Sequence, residues 1–154
     1  MSCYTRKKYY ITHQIVERVV ESIMFEWNNA MATGAMEIDD QHRELINKFN
    51  ELVEAEAGGA DRKTIGGILD FLQYYAEWHF NTEERIMNQY QCFVAEENKK
   101  AHDEYRLKFG KLYDQWKNST DLDNQVLHHT IVELARWIVN HILTVDIQLH
   151  EHVK

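Results

Sequence analysis

His42, His79, Glu83, His102 and His141 each stand in the middle of an apolar stripe, where leucine would be expected. A single core histidine is ordinarily a hydrogen-bonded structural residue. A buried carboxylate such as Glu83 is harder to accommodate, because an unpaired charge in hydrocarbon is strongly disfavoured. One polar intruder on every stripe makes sense when the intruders meet, and a metal ion lets imidazoles and carboxylates meet around a cation. "HFNTE" sets His79 and Glu83 four residues apart, one above the other on a helix face. "HILTVD" sets His141 and Asp146 five apart, which is about 140° around an ideal helix of ~3.6 residues per turn. That is wide for one ion but within reach of a carboxylate that bridges to a second. Four histidines and two carboxylates exceed the needs of one ion, so two ions sharing Glu83 and Asp146 fit the count. Iron, manganese and zinc all suit such donors.

Four helical patterns must bring these residues together. In the first, Ile38, His42, Leu45, Ile46, Phe49, Leu52 and Val53 share a face, with Asp39 and Asp40 as capping candidates and "EAGGAD" as the stop. The second runs from Ile65 through Leu69, Leu72, Ala76, His79 and Glu83 to Met87, and "QYQCF" reads as the turn. Val94, Asn98, His102, Tyr105, Phe109, Leu112 and Trp116 mark the third, closed by "KNSTDLDN". Leu127, Ile131, Leu134, Ile138, His141, Val145 and Leu149 mark the fourth. Strand-like alternation is sustained nowhere, and the chain has no proline. The expected fold is all-α: an up-down antiparallel four-helix bundle over residues 24–154, with residues 1–23 as an N-terminal extension. In that extension Ile15, Val16, Val19, Val20 and Ile23 recur at helical spacing, so an amphipathic helix that packs on the body or meets a partner protein is one reading.

With 154 residues, 44% apolar and 27% charged, the chain has the size and balance of one globular domain. A net charge of −8 argues against nucleic acid as a partner, and Arg6-Lys7-Lys8 is too local to reverse that. No apolar run reaches the ~18 residues of a membrane span, and the N-terminal stretch is too interrupted for a secretory apolar region. Two distant cysteines, Cys3 and Cys92, read as thiols in a reducing cytoplasm. Cytoplasmic is therefore the expected location.

Three segments resemble the bacterial hemerythrins: "FEWNNAMATGAMEIDDQHRELINKFNEL", "LQYYAEWHFNTEERIM" and "LARWIVNHILTVD". They carry an Ile-Asp-x-Gln-His signature, a His-Phe-x-x-Glu-Glu segment and a Trp-x-x-x-His-x-x-x-x-Asp helix. Together the resemblance covers about residues 24–150. It implies two iron ions joined by an oxo or hydroxo bridge, with dioxygen bound reversibly at one of them. By position, His42 and His79 would ligate the iron with the open place, Glu83 and Asp146 would bridge, and His102 and His141 would hold the other iron. The family pattern has His-x-x-x-His on the third helix, whereas this chain reads Asn98-x-x-x-His102. An amide oxygen is a weak neutral donor that water could replace, so Asn98 marks a weak or lost ligand.

Other residues have narrower readings. Phe80, Leu134, Trp137 and Ile138, with Trp27 and Ile142, could wall a gas pocket or simply fill the core. Tyr105 could donate a phenolate, though packing explains it as well. Glu97 points about 100° away from Asn98 on an ideal helix and is a poor substitute. Glu84 fits a supporting role beside the ligands, and Cys92 would be redox-reactive if exposed. His13, His128, His129, His150 and His152 read as surface residues. The functional expectation is reversible dioxygen binding for storage, delivery or sensing. The alternative is a di-iron peroxidase or oxidase, made more credible by Asn98.

Overall fold

In the computed structural model, residues 24–119 and 124–153 are described. The proposed extension, residues 1–23, lies outside them, as do His13, Cys3 and most of the loop before the last helix. Four helices account for the body: α1 (Met36–Ala57), α2 (Arg62–Gln89), α3 (Ala95–Asn118) and α4 (Asn124–Thr144). Each packs on the next, and α4 closes the ring against α1. Short connections force successive helices to run in opposite directions, which makes this the expected four-helix bundle.

Local chemistry explains the boundaries. Asp61 caps α2 by accepting from the Thr64 amide at 2.8 Å. At the end of α1, Gly59 adopts φ +69°, a left-handed conformation that favours glycine. Its amide reaches Glu56 O at 3.1 Å and that of Ala60 reaches Ala55 O at 2.8 Å, so the chain folds back tightly into α2. The capping expectation for Asp39 and Asp40 fails, because α1 starts earlier, at Met36, with no side-chain cap. Asp40 is exposed and pairs with Arg43 at 2.6 Å. Asp39 is buried and accepts from both the amide and hydroxyl of Thr33, at 2.8 and 2.9 Å, clamping the entering chain onto α1.

The stripes face inward as expected. Leu45, Phe49, Leu52, Leu69, Leu72, Leu112 and Ile131 belong to a large apolar core, with Tyr105 and Phe109 among them. A smaller cluster of Ile38, Ile86, Met87, Cys92, Val94, Val145 and Leu149 caps the other end. Cys92 is a free thiol buried in this cap, so its condition for redox reactivity is not met. Each fully buried large side chain contributes roughly 1.5–3 kcal/mol, which gives the bundle a fold largely independent of its polar layer.

The fourth helix is shorter than its stripe. It ends at Thr144, and Asp146–Glu151 continue as a 3-10 turn. Thr144 and Val145 are adjacent β-branched residues of low helix propensity. The side-chain amide of Gln148 donates to Thr144 O at 2.7 Å and satisfies a carbonyl freed by the break. Asp146 is thereby re-aimed.

Candidate metal centre

Between the two apolar clusters lies one polar layer. His42 comes from α1, His79 and Glu83 from α2, Asn98 and His102 from α3, His141 from α4, and Asp146 from the turn beyond it. All are buried. Glu83 Oε2 lies 3.2 Å from His102 Nε2 and 3.9 Å from His79 Nε2, while Oε1 lies 3.6 Å from His42 Nε2. Asp146 spans the layer in the same way: Oδ2 is 3.3 Å from His42 Nε2 and Oδ1 is 3.1 Å from His141 Nε2. The six residues expected to hold metal are therefore together. The 3-10 turn, rather than the wide helical angle expected for Asp146, brings that carboxylate in.

Two donor groups emerge, each with its ligand atoms within 4.8 Å of one another: His42, His79 and Glu83, and Glu83, His102, His141 and Asp146. Glu83 belongs to both. Within the layer, His42 Nε2, His102 Nε2, Glu83 Oε1 and both Asp146 carboxylate oxygens have no hydrogen-bond partner among the described residues. A buried polar atom left in this state costs about 1–3 kcal/mol. Inward-facing imidazole nitrogens and carboxylate oxygens that satisfy nothing else are the donor set a divalent cation requires.

Neighbouring residues fix the ring orientations. His79 Nδ1 lies 2.9 Å from Gln41 Oε1, and His102 Nδ1 lies 2.9 Å from Glu84 Oε1. Both partners accept, so each ring carries its proton on Nδ1 and turns the Nε2 lone pair inward. Glu84 thus takes the supporting role expected of it. Gln41 was missed as a supporter, although it sits next to His42 in "IDDQH". Aromatic rings seal the layer: Phe80 stacks on His102 at 3.9 Å, Trp137 on His141 at 4.6 Å, and Trp27 tilts against His42 at 6.1 Å. Leu134, Ile138 and Ile142 are buried along α4.

Asn98 is fully buried inside the layer. Its Oδ1 lies 2.7 Å from His141 Nε2, and its Nδ2 donates to Glu83 Oε2 at 3.2 Å and Met87 Sδ at 3.1 Å. Glu97 is exposed and takes no part. Tyr105 packs against Phe80 and Trp137, and burial pushes its phenol well above the ordinary range. A phenolate ligand is therefore not what this side chain offers. Of the remaining histidines, His129 and His150 are exposed, His128 is half-buried and paired with Glu56 at 2.5 Å, and His152 tilts against Phe93.

The hemerythrin HHE cation binding domain matches residues 33–152, a span that holds every residue of this layer. The chain belongs to the hemerythrin family. It is 28% identical over 119 residues to the bacteriohemerythrin of Aquifex aeolicus, spanning 77% of this chain and 89% of that protein. Identity to the bacteriohemerythrin of Methylococcus capsulatus is 34% over 110 residues, 70% of this chain and 79% of the relative. The crystal structure of a wild-type hemerythrin matches with a TM-score of 0.76 at 27% identity, covering 84% of this chain and 98% of that one. In this hemerythrin domain no described helix is long and apolar enough to cross a membrane.

The charges of the polar layer depend on one another. Burial disfavours a charged His42, but the Asp146 and Glu83 carboxylates beside it outweigh burial and raise its pKa to about 9. Burial depresses His79 to about 3. Burial also opposes charge on Asp146, yet His141 and His42 hold its carboxyl well below the usual range. A proton therefore resides on His42 at neutral pH and must leave before Nε2 can ligate. Metal affinity should rise as pH climbs from 6 toward 9, by about tenfold per unit for each proton displaced. Anaerobic Fe(II) titrations at several pH values check this. A flat profile would show that no proton competes for the donors.

Proposed function

We propose that this hemerythrin domain holds an oxo- or hydroxo-bridged pair of iron ions in its polar layer and binds dioxygen reversibly. The observation that carries the reading is the sharing of Glu83 between two donor groups, one with His42 and His79 and the other with His102, His141 and Asp146. His42 and His79 would hold one ion and His102 and His141 the other, with Glu83 and Asp146 spanning both. When bound, the iron ions would supply the electrons needed for reversible dioxygen binding.

The chain's own residues supply the rest. Gln41 and Glu84 keep the His79 and His102 rings in the inward-facing tautomer. Phe80, Trp137 and Trp27, with Leu134, Ile138 and Ile142 behind them, keep water and protons from the layer and so oppose irreversible oxidation. Histidine outnumbers carboxylate among the donors, and fewer anionic ligands favour binding dioxygen over splitting it. Storage, delivery and sensing all use that property.

The test is optical. Protein loaded with Fe(II) without air should gain a visible band on exposure to air and lose it on deoxygenation over repeated cycles. A second reading rests on Asn98: a weaker donor at one iron supports peroxide chemistry. Sustained turnover of peroxide with a reductant, without reversible colour change, would select that enzyme instead.

A further inference from the structure

The cleft between α3 and α4 contains a cavity of about 590 Å³, within the range of small-molecule sites. Leu112 and Leu134, both buried, and the half-buried Trp137 line its apolar floor. Lys108 and Lys111 stand on one wall and Arg136 on the other. The lining has a single carboxylate, Glu133, 3.8 Å from Arg136. Lys117, further along α3, is neutralised by Asp70 at 3.0 Å, whereas Lys108 and Lys111 have no ion-pair partner among the described residues. In a chain of net charge −8, this cationic rim is a local inversion that draws anions to one place.

We propose that the cleft binds a small monocarboxylate with an apolar body. Two unpaired lysines, with the Glu133-paired Arg136 on the neighbouring helix, suit one carboxylate head, and the apolar floor suits a hydrocarbon tail. Glu133, within the same rim, disfavours a second negative charge on the ligand. Trp137 gives the site its reach. One face of the indole lies on the His141 ring, 4.6 Å away and within 12° of parallel, so the occupant rests beside a residue that covers the polar layer.

Octanoate, below its micelle concentration, is the probe. Calorimetry on the full chain should show one site, and the Trp137 indole N–H resonance should shift as that site fills. Lys108 and Lys111 are exposed, so reversing them in K108E/K111E leaves the core intact. That variant should bind octanoate about tenfold more weakly. Octanol, with the same tail and no charge, should bind more weakly than octanoate. Lys100→Glu, exposed and away from the cleft, should bind as the parent does. Undiminished binding by K108E/K111E would overturn the proposal. So would an equal loss in Lys100→Glu, or binding that leaves Trp137 unmoved.

Discussion

Glu83→Ala is expected to empty the metal centre of both ions, because this one carboxylate belongs to both donor groups. Its two oxygens lie within 3.2–3.9 Å of His102, His79 and His42, whereas Asp146, the other carboxylate that spans the layer, reaches only His42 and His141. Losing it removes a donor from each ion and half of the two-carboxylate charge that offsets them. Metal analysis after anaerobic loading and desalting should find close to no iron in the variant. Glu84→Gln, one residue on, should retain most of its iron, since Glu84 meets His102 at the outward Nδ1 and otherwise pairs with Arg106. Circular dichroism separates lost ligation from lost folding. The helical signal should persist in Glu83→Ala, because Leu45, Phe49, Leu69, Leu72 and Leu112 form a core that does not need the layer. Iron content equal to the parent would show that Glu83 is not shared.

Asn98→His should tighten the weaker end of the centre. The side chain is fully buried, and its amide already contacts His141, Glu83 and Met87. Its hydrogen bond to His141 uses the nitrogen that faces Asp146, so in the proposed centre the amide would fill ligand space while offering only a neutral oxygen. An imidazole there supplies a stronger donor, at the expense of displacing the flexible Met87 thioether. Removing a mere support of a ligand typically changes metal affinity by about 10–100-fold, so adding a ligand should slow iron release to a chelator by about tenfold or more. Access of small anions to that iron should fall in parallel. Equal release rates in the two proteins would place Asn98 outside the ligand set.

Most of the layer was legible because helices are periodic. Polar residues at three- and four-residue steps within apolar stripes must share the face that packs inward, and four such faces converge in a bundle. His79 and Glu83 needed nothing more than their spacing. Asp146 was less legible, because extending a helix through Val145 puts it on the wrong side; the break depends on adjacent Thr144 and Val145 and on Gln148 capping a carbonyl. Asp39 was misread for a related reason. Its short acidic side chain near a helix start resembles a cap, but it bonds Thr33 across the entering turn, a contact that local propensity does not encode. Burial of Cys92 follows from the turn at Gln91, whose φ of +51° folds the chain over the cap cluster. Gln41 stayed silent because residues that support ligands follow no periodic rule: its role exists only once His79 arrives from α2.

A centre of two ions joined by shared carboxylates has a fixed stoichiometry, which counting metal reads. The chain should be loaded with Fe(II) without air, passed through a desalting column, and assayed for iron and protein. Two irons per chain are expected in the parent, lost together in Glu83→Ala. One iron per chain, or none, would contradict a two-ion centre.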